Sequence, residues 1–307
     1  MKKLTYLVSA VAAGLFSSAA NADISVSGAA SLVYNAAGSD TNVHNGGSIS
    51  FGLSTSTDSG MAVSTSAGIT LGTTGTATGA VTGWDNLTFA TGGVTLTVGN
   101  DIGVPDGTGD VGGLVSDTTS SNSAGITSSV GLTDDEGTGI SLSTSLGGAA
   151  LTLAYVGDST PAGGEGDIDG AADTGSGVSI STTVGAVAVS ASYTTYSDAA
   201  TDDTETGISA SYASSMGTIT AGYESSTGTN DGNGFGVGYS MSLDGATSLG
   251  LGYSSQDVNS NSGRSTDVSI SRALGGGMSV FAEMRSTSGD TNAGEASVMS
   301  IGTSVSF

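Results

Sequence analysis

The sequence has 307 residues and a formal net charge of −23, with 28 acidic residues against five lysines and arginines. Proteins that bind nucleic acid present a basic surface, so this charge excludes nucleic acid as a partner. The chain has no cysteine, which excludes disulfides and thiol chemistry. Its richness in small residues would also suit a disordered chain, but the regular placement of the apolar residues argues against disorder.

Residues 1–22 have the organisation of a signal peptide. Two lysines precede an apolar run up to Phe16, and a cleavage site of small residues ends at Ala22. We expect cleavage after Ala22, which leaves residues 23–307 as a single domain. A spanning helix needs roughly 20 apolar residues, so an uncleaved anchor is the less favoured alternative. No later apolar run approaches that length, which leaves a secreted, periplasmic or β-barrel protein.

Beyond this segment, apolar residues alternate with small polar residues at a spacing of two. This is the pattern of a β-strand with one apolar and one polar face. The alternation predicts sixteen strands, at residues 24–34, 49–53, 61–71, 87–89, 94–98, 140–146, 151–155, 178–184, 187–193, 208–212, 219–223, 235–239, 249–253, 268–270, 278–284 and 299–307.

Short and long connections alternate between these segments. Seven are tight, most of them with glycine, at residues 58–60, 91–93, 147–149, 185–186, 216–217, 243–246 and 275–277. Eight are longer and polar, at residues 36–47, 72–83, 100–138, 157–177, 197–206, 225–233, 255–263 and 288–297. This layout is typical of a transmembrane antiparallel β-barrel of the outer membrane. The alternative, a soluble β-solenoid adhesin, would show one fixed repeat instead.

The two faces of the predicted strands favour a water-filled lumen. The outward positions hold leucine, isoleucine, valine, methionine and tyrosine, whereas serine, threonine and glycine dominate the inward ones. The strand tyrosines predict an aromatic girdle, mostly at the loop-side ends, with Phe89 and Phe307 as candidates for the opposite girdle. Among inward positions, the pattern contains one aromatic residue, Phe281, which argues against a sugar-specific slide.

Three stretches carry a resemblance to the general porins of Gram-negative outer membranes, above all to the acidic alphaproteobacterial type. They are FGLSTSTDSGMAVSTSAG (51–68), LTFATGGVTLTVGND (87–101) and the last strand, which ends at Phe307. The resemblance implies a sixteen-stranded homotrimer, surrounded by outer-membrane lipid and lipopolysaccharide, whose long third loop folds into the lumen as a constriction. It also implies that Phe307 is the signal read by the barrel-assembly machinery.

By position, residues 100–138 correspond to that third loop. Its acidic residues are the candidates for the constriction, namely Asp101, Asp106, Asp110, Asp117, Asp134, Asp135 and Glu136. Within it, residues 125–133 have a strand-like pattern that leaves a short helix or an extra strand open.

Alternation turns four charged strand residues toward the lumen, Glu224, Asp267, Glu283 and Arg285. General porins usually oppose the acidic loop with a cluster of wall arginines, and here only Arg285 is basic. We therefore expect a cation-preferring channel for the passive diffusion of small hydrophilic solutes and ions. A substrate-specific channel and a surface or adhesin barrel plugged by its loops stay open as alternatives.

Other candidate sites are weaker. Asp167, Asp169 and Asp173 could bind Ca²⁺ through their oxygens, but the EF-hand pattern is incomplete and a solvated acidic loop is the simpler interpretation. The G-x-G-x-x-G match at residues 107–112 has no helix after it. His44 is the single histidine and has no nucleophile beside it in the pattern. We expect no enzyme activity and no firmly bound cofactor.

Overall fold

The structure is a computed structural model of the chain. It describes residues 23–37, 40–71, 80–82, 86–105, 108, 136–157, 174–197, 202–228, 231–289 and 297–307. Within these ranges every regular element is a β-strand. The described residues contain no helix that is long and apolar enough to cross a membrane.

Each segment with the alternating pattern forms a strand, because a period of two gives the pleated chain one apolar and one polar face. The strands are β1 (Asp23–Ala37), β2 (Asp40–Ser56), β3 (Ala62–Leu71), β4 (Ala80–Thr82), β5 (Asn86–Thr91), β6 (Val94–Gly103), β7 (Glu136–Leu146), β8 (Ala149–Gly157), β9 (Thr174–Val184), β10 (Val187–Ser197), β11 (Asp202–Ser214), β12 (Gly217–Thr227), β13 (Gly232–Ser242), β14 (Thr247–Val258), β15 (Asn261–Gly275), β16 (Met278–Gly289) and β17 (Ser297–Ser306).

The strands form one closed antiparallel sheet. Neighbours in the chain are neighbours in the sheet, and β1 pairs with both β2 and β17. The short strands β4 and β5 both pair with β3 and share one place in the sheet, so the barrel has sixteen strands. The predicted fold and strand number are confirmed. Closure satisfies the backbone groups that a sheet edge would expose to lipid.

The predicted tight turns are present, and several use glycines in the left-handed region. Gly147 and Gly148, for example, have φ angles of 62° and 90° between β7 and β8. Positive φ at both central residues gives a two-residue turn whose twist matches the flanking strands.

Several of the predicted long loops are too long, because the strands continue into them, and two of these loops consist mostly of strand residues. Residues 36–47 contain the end of β1 and the start of β2, whose ladder extends to the pair Ala37–Asp40. Residues 255–263 contain a tight turn at Asn259 and Ser260, which have φ angles of 48° and 69°. Backbone pairing needs no apolar face, so a hairpin can extend beyond the apolar band of the wall without the alternation that marks it inside.

The girdle prediction holds in part. Five of the seven predicted girdle tyrosines lie toward the loop-side ends of their strands, namely Tyr34, Tyr155, Tyr193, Tyr223 and Tyr253. Tyr212 and Tyr239 instead lie near the tight turns, and the Tyr239 hydroxyl donates to the Met216 carbonyl at 2.5 Å. Aromatic residues with a polar tip suit both interfaces of a membrane, so the turn-side girdle is richer than the sequence suggested.

Candidate functional site

A β-bulge turns the end of β6 from the outer face of the barrel to the lumen. Gly99 pairs with Gly139, but Ile102 pairs with Gly137, so β6 carries one extra residue at this point. One extra residue reverses the side to which later side chains point. Val98 is therefore exposed on the outer face, whereas Ile102 and Val104 face inward and are 3% and 4% exposed.

Two of the candidate constriction residues belong to the barrel wall. Asp101 lies in the bulge of β6, where Asn86 holds its backbone: Asn86 Nδ2 donates to the Asp101 carbonyl at 2.5 Å. The Asp101 amide donates back to Asn86 Oδ1 at 3.4 Å. Glu136 is the first residue of β7 and pairs with Gly103. The stretch between the two strands is therefore shorter than residues 100–138. The other five candidates lie outside the described residues, namely Asp106, Asp110, Asp117, Asp134 and Asp135.

The inward turn of β6 buries a small apolar cluster inside the barrel. It consists of Ile102, Val104, Ala154, Val156 and Tyr196. Ala154 and Val156 lie on the lumen face of β8, and Tyr196 lies on that of β10 and is 6% exposed. Phe281 is therefore not the single inward aromatic residue. The prediction was wrong because β10 continues past residue 193, and its alternation carries Tyr196 inward.

Pro105 follows this cluster and lies against β9 and β10. Thr194 Oγ1 donates to the Pro105 carbonyl at 3.2 Å. A Cβ atom on Gly177 would lie 2.7 Å from Pro105 Cδ, and one on Gly175 would lie 2.8 Å from Val156 Cγ2. Real Cβ atoms do not approach so closely, so the two glycines make the room that Pro105 and Val156 occupy. We call Gly177 and Thr194, the two residues that contact Pro105, the Pro105 seat.

Charged side chains gather on the lumen side of β11, β12, β15 and β16. Glu224 and Asp267 are each 1% exposed. Glu283 and Arg285 alternate with the exposed Met284 and so share this side. Two further acids, Asp203 and Glu205, are 8% and 2% exposed.

Asp203 and Glu205 fall within the predicted loop 197–206. Continuing the alternation back from Ile208 would have placed both on the lumen side, because β11 begins at Asp202. Glu205 pairs with Ser226, and the next inward pair toward the turn joins Gly207 with Glu224. The two glutamates are thus diagonal neighbours, about 7–8 Å apart in an antiparallel sheet. Like charges at this distance reinforce one negative potential.

The lumen-side arginine is engaged by a carboxylate. Arg285 Nε lies 2.6 Å from Asp267 Oδ1, and their side chains are 14% and 1% exposed. Ser265 Oγ donates to the other oxygen of Asp267 at 3.2 Å. Arg264 and Arg272 lie on the opposite, outward face of β15, and Arg272 contacts Asp244 at 3.2 Å.

The lumen faces of β11, β12, β15 and β16 therefore carry an excess of negative charge. One guanidinium, Arg285, stands against the five carboxylates of Asp203, Glu205, Glu224, Asp267 and Glu283. This set is the candidate functional site, and we call it the acidic wall. The wall arginine cluster that the resemblance would supply is replaced on these strands by acids.

The remaining sequence candidates do not join this site. Asp167, Asp169 and Asp173 and residues 125–133 lie outside the described residues. His44 lies in β2 opposite Val33. Within the described ranges, no group of three or more histidine, cysteine, aspartate or glutamate side chains is arranged to hold a metal ion.

Solved structures with the same architecture are porins and related outer membrane proteins. OmpT of Vibrio cholerae, in a form lacking loop L8, is 13% identical with a TM-score of 0.72, over 93% of this chain and 99% of that chain. The anion-selective porin from Comamonas acidovorans is 12% identical with a TM-score of 0.68, over 94% and 100% of the two chains. A mutant of Rh. blastica porin is 20% identical with a TM-score of 0.66, over 93% and 100%. At these identities the likeness shows the fold.

The sequence itself carries the assignment to a family. No curated protein matches the chain. The sequence model of the Gram-negative porins matches residues 8–292, which is most of the chain. The architecture of the barrel agrees with that match. This chain belongs to the Gram-negative porin family.

Proposed function

We propose that this porin is a cation-preferring channel for the passive diffusion of small hydrophilic solutes and ions. As a Gram-negative porin, it is an integral protein of the bacterial outer membrane. Diffusion through a water-filled lumen needs no covalent chemistry and no cofactor. The single observation that carries the proposed preference is the acidic wall, with its five carboxylates against one arginine.

Fixed charges act on permeating ions through the potential they create in the lumen. Low-dielectric walls focus that potential, so a negative wall raises the local concentration of cations and lowers that of anions. Arg285 offsets one of these five charges and lies 2.6 Å from Asp267, so the wall keeps an excess of negative charge. The anion-selective Comamonas porin has a similar fold, so the proposed cation preference rests on the charges of the wall and not on the barrel architecture.

A planar-bilayer recording under a KCl gradient tests this proposal. We expect open-channel current steps and a reversal potential that is shifted from zero toward the equilibrium potential of K⁺. The double variant Glu205→Gln with Glu224→Gln removes two wall charges and should move the reversal potential toward zero. Asp202→Asn is the matched control, because Asp202 is exposed and lies on the outward face of the same strand.

A reversal potential shifted toward the equilibrium potential of Cl⁻ at neutral pH would overturn the cation preference. Insertion without current would favour the plugged surface barrel. A substrate-specific channel would need an aromatic slide or an ordered polar track in the lumen. In the described part of the chain, the inward aromatics Tyr196 and Phe281 lie on β10 and β16, far apart in the sheet order.

We also propose that the protein is a homotrimer in lipid and lipopolysaccharide, assembled by the barrel-assembly machinery. A structural neighbour, OmpT of Vibrio cholerae, was solved in a trimer form. Light scattering of the detergent-purified protein, corrected for bound detergent, measures the oligomer directly. A monomeric mass under conditions that preserve the folded barrel would contradict the trimer.

A further inference from the structure

We infer that the Pro105 seat fixes the path of the chain leaving β6 across the lumen and thereby limits the conductance of the pore. The link to conductance rests on the proposed channel function, whereas the anchoring rests on contacts alone. Gly177 and Thr194 would accordingly be positioning residues that contact no solute.

The segment after β6 contacts strands that are not its neighbours in the sheet. Ile102 belongs to β6, and Val104 and Pro105 follow the strand directly, yet these residues contact β8, β9 and β10. In the sheet, β7 and β8 separate β6 from β9. The contacted side chains all face the lumen, so the segment reaches β9 and β10 through the inside of the barrel.

The seat leaves Val104 and Pro105 little conformational freedom. Val104 is 4% exposed and Thr194 is fully buried. The Thr194 hydroxyl donates a hydrogen bond to the carbonyl of Pro105, which is 89 residues away in the sequence. Proline has a fixed φ and no amide hydrogen, so the ring itself provides the shape that Gly177 accommodates. The anchor is thus the fit of the Pro105 ring over Gly177, with one hydrogen bond from Thr194 to hold it.

A side chain at residue 177 must displace Pro105 away from the wall. A Cβ there would lie 2.7 Å from Pro105 Cδ and 2.9 Å from Thr194 Oγ1. Gly177 has no positive φ, so a substitution changes the packing and not the backbone preference. Displacement away from β9 moves Pro105 toward the pore axis and narrows the lumen. Gly157, at the end of β8, is the matched control, because its Cβ would meet nothing within 4 Å.

The test uses the absence of native cysteine. A single reporter, Val104→Cys, is placed in the native background and combined with Gly177→Val or with Gly157→Val. The reaction of folded, detergent-purified protein with a water-soluble maleimide reports burial of residue 104. The barrel signature in circular dichroism and heat-modifiable gel mobility checks folding. Gly177→Ala and Thr194→Val serve as milder variants if Gly177→Val does not fold.

We expect Gly177→Val to raise the labelling rate on the order of tenfold, as local opening exposes the thiol, and Gly157→Val to leave it unchanged. Without the reporter, Gly177→Val should show a lower single-channel conductance than Gly157→Val. Equal labelling in the two variants would overturn the anchor. Different labelling with equal conductance would overturn the link to the pore. Absence of current in every variant, including the native protein, would reject the channel function itself, while the labelling would still decide the anchor.

Discussion

Gly28 and Phe307 exchange two backbone hydrogen bonds across the seam of the barrel. The Gly28 amide donates to the Phe307 carbonyl at 2.8 Å, and the Phe307 amide donates to the Gly28 carbonyl at 3.0 Å. The phenylalanine ring occupies the space of a missing side chain, since a Cβ on Gly28 would lie 2.6 Å from its Cε2. The last strand is therefore paired along its whole length, which lipid demands of a barrel seam.

Deletion of Phe307 should reduce the amount of assembled barrel in the outer membrane without changing synthesis. It removes the final hydrogen-bonded pair of the seam together with the residue proposed as the assembly signal. Heat-modifiable mobility of membrane fractions measures assembly, and total immunoblots measure synthesis. Gly28→Val should impair assembly for a steric reason, with Gly157→Val as its control. Equal outer-membrane levels of the truncated and full-length proteins would contradict the prediction.

Replacement of Arg285 by glutamine should destabilise the barrel by about 2 kcal/mol, the typical worth of hydrogen bonds to a charged group. The change leaves Asp267, which is 1% exposed, without the guanidinium at 2.6 Å. Denaturant unfolding of the reconstituted protein measures the loss. Asp267→Asn in the same chain should recover part of it, because the uncompensated carboxylate is then gone. Arg272→Gln, on the outward face, controls for loss of any arginine. If the changes in unfolding free energy of Arg285→Gln and Asp267→Asn simply add in the double variant, the two residues are not coupled.

The Asp244 turn between β13 and β14 should add a pH-dependent part to stability. The Ala246 and Thr247 amides, which donate to its carboxylate at 2.8 and 2.7 Å, hold the pKa of Asp244 below its usual range. Because the folded pKa lies below the unfolded one, the stabilisation is present above about pH 4 and is lost as the pH falls through the folded pKa. The stability difference between the native protein and Asp244→Asn should therefore be constant near neutral pH and shrink in acid. A difference independent of pH would contradict this account.

Export should remove residues 1–22, so the mature protein should begin at Asp23. Asp23 is also the first residue of β1 and pairs with Ser54 of β2. Cleavage there would leave the ladder of β1 intact, with no charged extension beside the seam. Intact mass and N-terminal sequencing of the outer-membrane protein test this. A protein that retains Lys2 and Lys3 would support the uncleaved anchor instead.

The strand assignments show where sequence reasoning was sufficient. Inside the apolar band, the period of two and the glycine turns marked all sixteen strands, because lipid outside and water inside impose opposite demands on successive residues. Outside that band the same reasoning failed. It assigned the ends of β1, β2, β14 and β15 and the start of β11 to loops, since a hairpin in water needs backbone pairing alone. Asp203 and Glu205 were missed for this reason.

The alternation of the sequence by itself determined the closed barrel, its strand number and the outward and inward faces. Composition determined the acidic character of the chain. Tertiary structure alone decided the path of the chain after β6. One extra residue in the bulge reversed Ile102 and Val104, and Gly177 on a strand three places away received Pro105. A local period reports the environment on each side of a strand, whereas a bulge and a distant glycine act through the register and packing of other strands.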